Sequence, residues 1–549
     1  MQKVISANEM REVDRLTSEE HATPSLLLME AAAQASAQAI TERLKNGVGE
    51  KSALILCGRG NNGGDGAALA RKLSLHGALV EVVLFGTVEE AQGDARANFE
   101  IVKSLADDGS LSFTSCRTIE EWEKFLEHAS QQNYDVIVDA LFGTGLTRPL
   151  AGLHAEAVKF IQRRRDFHES ARDLLIVSLD IPSGLNADSA TPIGEAVRAD
   201  LTVTFTAPKP ANVLPPASHY NGQLVVADIG SPASLLDKSS SKLFVTEATD
   251  AQEWLKRTRY APDSYKNTHG HAVVIAGSRG MTGAAALCGN AAMRAGAGLV
   301  TIATPSSAQT AVAAHATPEV MTAALAETDR GAASVEAVEH VLRLTRKASV
   351  VAIGPGLSSD DERTRRFVRE VVERRRTPVV IDADGLNALA PWPEDLRGTD
   401  ELPLILTPHP GEMLRLMGTD ESDALRDRVA AAREFATAHA VILVLKGART
   451  LIAAPDGRVF VNPTGNAGLG TAGAGDTLTG IITGFLAQAY ATLKDKADAL
   501  EASLAAVYVG GFAGDLAARE IGMRALIASD IREHLGAALC SLDPLGERP

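Results

Sequence analysis

Residues 466 to 486 read NAGLGTAGAGDTLTGIITGFL. The glycines Gly468, Gly470, Gly473 and Gly475 are too dense for a regular element. After Gly475 the pattern changes. Leu478, Ile481, Ile482, Phe485 and Leu486 recur at helical spacing, which predicts a helix beginning near Ala474. A glycine loop that runs into a helix gathers free backbone N–H groups at the positive end of the helix dipole, a place for an anion. Asp476 falls in that first turn. A carboxylate aimed into such a nest suits a base beside a phosphate and an attacking hydroxyl. Its plainer role is an acid that steadies the helix start.

Upstream of this loop, short Val- and Ile-rich runs alternate with helical stretches: HAVVIAGS (271–278), GLVTIAT (298–304), SVVAIGPG (349–356), TPVVIDADG (377–385), LPLILTPHP (402–410) and AVILVLKG (440–447). LIAAP and RVFVNP read as a hairpin around Asp456-Gly457. An earlier, non-repeating series holds SALILC (52–57), LVEVVLF (79–85), YDVIVDAL (134–141), LLIVSLDI (174–181), LTVTFTA (201–207) and LVVADI (224–229). Ahead of it stand a short polar helix over 8–18 and a helix from Ser25 to Leu44, with Thr23 as cap and Pro24 in the first turn. NNGGDG (61–66) reads as a turn, followed by a helix from about Ala67 to His76. Between the two series SPASLLDKSSSK is polar and Ser-rich. The expectation is α/β: a domain over 1–230, a linker over 231–246 and a second domain over 247–549. Each would have a parallel sheet covered on both faces, with ligands at its carboxyl edge.

Composition narrows the class. The 549 residues are 45% hydrophobic but only 4% aromatic, and the formal charge is −15. That acidity argues against a nucleic-acid partner. The four cysteines lack metal-ligand spacing, and Cys57 and Cys288 sit in apolar runs that suit a core. The N-terminus lacks the apolar stretch of a signal peptide, and no run reaches spanning length without interruption. A cytoplasmic protein without a membrane partner is expected.

Three loops follow strands in the first half: CGRGNNGGDG (57–66), DALFGTGLTRPL (139–150) and LDIPSGLNAD (179–188). Glycines after Asn61 and Asn62 let backbone N–H groups approach a phosphate, and GTGLTRP offers a second such loop with Arg148. Asn62, Asp139 and Ser183 could bring oxygens to one place, which suits a hard cation. Asp139 could equally be an acid/base group. In the second half Lys446 follows a buried strand and precedes a glycine, and His409 is held between Pro408 and Pro410. Asp382 and Asp384 could position magnesium through water or simply cap a helix.

Together these motifs resemble the bifunctional NAD(P)H-hydrate repair family, over about 8–230 for its epimerase half and 247–542 for its dehydratase half. The second set comprises GSRGMTGAA (277–285), TPEVM (317–321), GPGL (354–357), DADGLN (382–387), TPHPGE (407–412), KGART (446–450) and GTAGAGD (470–476). The resemblance implies a Rossmann-like three-layer domain followed by a ribokinase-like α/β domain. The first would interconvert the R and S forms of hydrated NADH or NADPH at C6. The second would dehydrate the S form with ADP or ATP, giving AMP and phosphate from ADP.

The resemblance also implies site residues. Asn61, Asn62, Gly63, Gly64 and Asp65 would hold the hydrated nucleotide with Gly143, Thr144, Gly145, Leu146, Thr147, Arg148, Pro149 and Asp180. Asn62, Asp139 and Ser183 would bind potassium. In the second domain Ala284, Gly356, His409 and Asp476 would contact the substrate, with Asp476 as the base. Lys446, Gly447, Ala448, Arg449, Thr450 and Gly475 would hold the nucleotide, with magnesium as its companion. A homo-oligomer is expected. MEAAA (29–33) departs from the family's usual MENAG, which bears on helix packing or subunit contact. Two other readings remain: a small-molecule kinase with the same GAGD chemistry, and a non-catalytic ligand-binding first domain.

Overall fold

The computed structural model describes residues 1–168 and 174–544. The chain divides into two compact units, Gln2–Ser241 and Lys242–Pro549. The stretch expected as linker is not featureless. It forms a helix, Ala233–Lys238, on which Leu235 is buried, and a strand, Leu243–Val245, that pairs with Val459–Val461. The serines that suggested a linker flank these few apolar anchors.

In the first unit a short strand β1 (Gln2–Val4) precedes a helix, Ala7–Glu20, capped by a reciprocal Ser6–Glu9 box. The next helix is Ser25–Arg43, with Pro24 as its N-cap rather than inside its first turn. Seven strands follow: β2 (Ser52–Cys57), β3 (Leu79–Phe85), β4 (Ser112–Cys116), β5 (Val136–Ala140), β6 (Leu175–Leu179), β7 (Leu201–Phe205) and β8 (Gln223–Ala227). Their order is β4-β3-β2-β5-β6-β7-β8, every pair parallel. Alternate residues serve opposite faces. Ile55 packs toward the Ser25–Arg43 side, while Leu54 and Leu56 pack with Trp122, Phe125 and Ile161 on the other. Connections leave β2 and β5 in opposite directions, so their carboxyl ends open a crevice. The edge strand SFTSC, polar and only half-buried, gave no strand signal in the sequence.

NNGGDG is not a turn. It is the first turn and a half of the helix Asn61–Leu75. Its glycines serve contact rather than flexibility. A Cβ on Gly63 would stand 1.8 Å from the Gly58 carbonyl oxygen, and one on Gly66 would stand 2.6 Å from Ala140 Cβ. The helix start is thereby pressed onto the sheet.

The second unit holds β9 (Leu243–Val245), β10 (His271–Ile275), β11 (Leu299–Pro305), β12 (Met321–Leu325), β13 (Val350–Ile353), β14 (Val379–Ile381), β15 (Leu404–Leu406), β16 (Ile442–Leu445), β17 (Leu451–Ala453) and β18 (Val459–Val461). From β9 their order is β9-β18-β17-β16-β15-β14-β13-β10-β11-β12. Pairing is parallel except where the expected hairpin, β17 with β18, adds to β16. The helix after the glycine loop is Ala474–Gln488, beginning where the periodicity placed it. Gly480 and Gly484 seat it against the helix Thr282–Arg294: a Cβ on Gly480 would meet the Cys288 carbonyl oxygen at 2.2 Å, and one on Gly484 the Ala292 oxygen at 2.6 Å. Cys57 and Cys288 are core residues, as expected. Among the described residues no helix is long and apolar enough to cross a membrane.

Gly63→Ala is expected to destabilise the first unit by more than about 3 kcal/mol, because the clashing atom is backbone and cannot rotate away. Chemical unfolding followed by the fluorescence of Trp122, in a Trp254→Phe, Trp392→Phe background, measures it. A cost below about 1 kcal/mol would contradict the close packing.

Candidate active sites

In the first unit the ends of β5, β6 and β7 carry the polar core of the crevice. Asp139 ends β5 and is fully buried. Its Oδ2 accepts from Ser178 Oγ (2.8 Å) and Ser183 N (2.8 Å). Its Oδ1 accepts from Ser183 Oγ (2.6 Å) and Leu141 N (3.3 Å). Burial pushes this carboxyl up, and the hydrogen bonds oppose the shift. Four donors fill its acceptor sites. Ser183 Oγ also stands 3.3 Å from the Phe142 carbonyl and accepts from Phe142 N (3.0 Å).

Asn62 and Asp180 face the neighbouring loop. A Cβ on Gly143 would stand 3.0 Å from Asp180 Oδ2 and 3.3 Å from Asn62 Oδ1, so the three expected residues converge. Both polar atoms of the Asn62 side chain are buried with no partner. Such atoms cost free energy unless something fills the place. Asp65 lies in the same helix turn. Burial pushes its carboxyl well above the ordinary value, and the charges of Asp180 and Asp14 add to it. Along Gly143 to Pro149 only Leu146 is buried; Thr147, Arg148 and Pro149 are exposed. Arg148 has no ion pair among the described residues, which leaves it open to an anion. The sequence reading missed Lys209, Thr204 and Asn212, which surround Asp180. A lysine four residues after the strand run LTVTF, following Pro208, was the available signal.

In the second unit the Ala474–Gln488 helix starts at Gly473, whose φ of +82° opens the turn. The glycine at 475 leaves room for a cation: a Cβ there would stand 3.2 Å from Lys446 Nζ. Lys446 donates to Asp382 Oδ1 (2.8 Å), and Thr479 of the same helix donates to Asp382 Oδ2 (2.8 Å). Burial alone would raise the Asp382 carboxyl, but the Lys446 ammonium and these hydrogen bonds outweigh it and hold it below the ordinary value. Asp476 has no such partner. Burial pushes its carboxyl up to about 7, the Asp382 charge adds to this, and Lys446 opposes it. Two carboxylates near one lysine thus take opposite protonation behaviour.

Asp384 heads a short helix, Asp384–Ala388, and accepts from Ser358 N (2.9 Å), while Asp382 is engaged by Lys446. His409 is the N-cap of the helix Pro410–Met417: its Nδ1 accepts from Gly411 N (3.0 Å) and Glu412 N (3.3 Å), which puts the ring proton on Nε2. Glu412, missed in the sequence, is buried and places Oε2 3.8 Å from Lys446 Nζ. Ala284 and Gly356 meet: a Cβ on Gly356 would be 3.0 Å from Ala284 Cβ. Arg428, also missed, braces the KGART turn by donating to Ala448 O (3.1 Å). Arg449 donates to Pro463 O (2.8 Å), and Thr450 Oγ1 to Gly447 O (3.3 Å). These two side chains shape the turn. Among the described residues no group of three or more His, Cys, Asp or Glu is arranged to hold a metal.

Comparison with known proteins covers both units. Residues 272–536 match the family model described as NAD(P)H-hydrate dehydratase, and residues 25–211 match that described as YjeF-related protein N-terminus. The chain is 41% identical over 540 residues to the bifunctional NAD(P)H-hydrate repair enzyme Nnr of Moorella thermoacetica, covering 98% of this chain and 97% of that one. The enzyme of the same name from Escherichia coli is 33% identical over 482 residues, covering 87% and 83%. A solved structure, the ADP/ATP-dependent NAD(P)H-hydrate dehydratase from Bacillus subtilis, is 31% identical, covers 55% of this chain and 99% of that one, and gives a TM-score of 0.46.

Lys446→Met is expected to destabilise the second unit by about 3 kcal/mol, because it leaves the Asp382 charge buried and unpaired. Asp382→Asn with Lys446→Met should recover most of that loss. Urea unfolding of the three proteins is the measurement. A double variant no more stable than Lys446→Met would mean the ion pair is not the cause.

Proposed function

This chain belongs to the bifunctional NAD(P)H-hydrate repair family, and from that premise we propose how its two sites divide the work. The protein is an epimerase and a dehydratase: it interconverts the C6 epimers of hydrated NADH or NADPH and removes water from the S form at the expense of a nucleotide. Relatives that share both halves over nearly the whole chain set aside the kinase reading and the non-catalytic first domain.

The observation that carries the dehydratase assignment is Asp476 at the open start of its helix, its carboxyl raised to about 7 beside the Lys446–Asp382 pair. A base with that affinity is matched to taking a hydroxyl proton near neutral pH. Asp476 takes the proton of the C6 hydroxyl, and the oxygen attacks the terminal phosphoryl group of ADP or ATP, breaking its bridging P–O bond and releasing AMP or ADP. Backbone N–H groups of Gly473 to Gly475 and the Lys446 ammonium receive the charge of the transferring phosphoryl. Hydroxide leaves poorly and phosphate leaves well. The ring nitrogen's electron pair expels phosphate from C6, a C5 proton passes to the departing phosphate, and the ring double bond is restored. Lys446 to Thr450 and Gly475 hold the nucleotide, while Ala284, Gly356 and the Nε2–H of His409 face the substrate. Magnesium is expected to enter on the nucleotide's phosphates, with Asp384, which accepts from Ser358 N, Ser359 Oγ and Asn387 Nδ2, as the nearby carboxylate.

At the first site C6 is a hemiaminal carbon, bearing both a hydroxyl and the ring nitrogen. Moving the hydroxyl proton to the nitrogen breaks the C6–N1 bond and leaves an open-chain aldehyde. Reclosure on the other face returns the proton and inverts C6. Asp180, whose Oδ2 faces the Gly143 loop, is placed to carry that proton. Asp139 is not: its four donors leave no lone pair for substrate, so its role is charge supply. Ser183 gives its hydroxyl proton to Asp139 and so turns its lone pairs away from that carboxylate. The Ser183 hydroxyl, the unpartnered Asn62 oxygen and the Phe142 carbonyl would offer hard oxygens to potassium, with the Asp139 charge behind Ser183. A bound cation would supply positive charge beside the phosphate-binding loops.

Asp476→Asn should slow NADH recovery from hydrated NADH and ADP by about 100-fold to 10,000-fold while leaving epimerisation untouched. Near-normal recovery rules out Asp476 as the base. As the base works only when deprotonated, kcat/KM for dehydration should fall as pH drops below about 7. A profile flat from pH 5 to 8 would contradict this. Replacing potassium by tetramethylammonium at matched ionic strength should slow epimerisation and lower the melting temperature of the first unit. If both are unchanged, the potassium assignment fails.

A further inference from the structure

Lys209 is almost without solvent, 1% exposed, and its ammonium has three partners: Asp180 Oδ1 (2.6 Å), Thr204 Oγ1 (3.0 Å) and the Phe205 carbonyl (3.0 Å). Every ammonium proton is thereby spent on the protein. None remains for a ligand. Thr204 Oγ1 also donates to Asp180 Oδ1 (3.0 Å), so one oxygen of Asp180 is held twice while Oδ2 is left facing the crevice. Asn212 locks both partners from behind, accepting from Lys209 N (2.9 Å) and donating to Asp180 O (3.3 Å).

The backbone bends to make this pair. Asp180 has a φ of +64°, and the hydrogen bond from Ile181 N to Leu179 O (2.8 Å) closes a three-residue turn around it. Thr206 repeats the arrangement at the end of the next strand, with φ of +64° and a bond from Ala207 N to Phe205 O (2.7 Å). This positive-φ γ-turn is rare and strained, and for a β-branched threonine it is a true outlier. Two such turns at the ends of adjacent strands, one bearing Asp180 and one leading into Lys209, are what over-determined functional geometry looks like. The surroundings explain why a cation is needed. Burial pushes the Asp14 carboxyl up to about 6, with Lys209 opposing and Asp180 adding. Asp65 is raised further, and among its neighbours only Lys209 works against the shift. Without the ammonium, Asp180 would be one of three acids facing each other with no cation.

We infer that Lys209 is a positioning residue for epimerisation: it fixes the Asp180 carboxylate in one rotamer, with Oδ2 turned to the C6 hydroxyl. This rests on the epimerase reading of the first unit, with Asp180 as the proton carrier. A structural lysine would affect stability alone. A positioning lysine acts through Asp180, and its loss is therefore not additive with loss of Asp180.

The test follows interconversion of R and S hydrated NADH by chromatography, on full-length wild type, Lys209→Met, Lys209→Gln, Asp180→Asn and Asp180→Asn with Lys209→Met. Lys209→Gln still donates to Thr204 and Asp180 without charge, so it covers a folding failure of Lys209→Met. Dehydration of the S form by the same samples reports the intact second unit, and unfolding followed by Trp122 fluorescence reports the first. The expected result is a fall in kcat of about 100-fold for both Lys209 variants, with KM within about threefold. The double variant should be no slower than Asp180→Asn. Either Lys209 variant within about threefold of wild type overturns the inference, as does a double variant whose loss is the product of the single losses. Wild type that does not epimerise above the uncatalysed rate brings down the epimerase reading itself, and this inference with it.

Discussion

A lysine ammonium held against a carboxylate where water hardly reaches is the constraint on which both halves of this protein turn. Lys446 with Asp382 and Lys209 with Asp180 stand at the carboxyl ends of parallel strands. Neither pair is a cheap source of stability, because desolvating two charges costs about as much as their attraction returns. What the pairs provide is definition. Each fixes where negative charge resides, and so decides which neighbouring acid is left to hold a proton. Burial raises Asp476, and the charge that Asp382 keeps adds to it. In the first unit Asp14 and Asp65 are raised, with the Asp180 charge contributing to both. The fold supplies the burial, the lysine supplies the asymmetry, and proton transfer follows from the two together.

Much of this was legible in the sequence, because the signals were local. Strands buried on both faces appear as apolar runs: β2, β3 and β11 lie within a residue of their sequence positions, and β10 starts at His271 as expected but ends at Ile275. The hairpin at Asp456-Gly457 and the helix start at Ala474 follow from turn chemistry and periodicity. What escaped was set by contact. The glycines of NNGGDG looked like a turn because their sequence does not tell conformational freedom from close approach. Only the position of Gly58 and Ala140 shows that the helix starts there and must touch the sheet. The edge strand Ser112–Cys116 was invisible because an edge needs only one apolar face.

The site residues divide in the same way. Motif residues such as Asn62, Asp180, Lys446 and Asp476 stand at strand ends or in a helix's first turn, close to where the sequence put them. Their supporters were not legible: Lys209, Asn212 and Arg428 belong to no recognisable spacing, while Thr204, Thr479 and Glu412 lie inside quoted stretches that gave them no role. They matter only because another strand end brings a partner to them. For Asp139 the sequence left two roles open, cation ligand or acid/base group. Its four donors come from three loops and strands, none of which can be read from its own stretch.

The glycine seam between the helices Ala474–Gln488 and Thr282–Arg294 has a mechanical meaning. Side chains between packed helices act as compliant spacers, since rotamers can shift and take up a displacement. Here the backbone of one helix rests on carbonyls of the other at Gly480 and Gly484, and that compliance is missing. Ala284 rides on one helix and Asp476 on the other, so under the proposed function the substrate wall and the base would behave as a single stiff block. Adjustment to substrate and release of product would then fall to the parts that lie off the seam: the KGART turn and the glycines ahead of Gly473. The site resembles a fixed jaw facing a movable one, with the chemistry mounted on the fixed side.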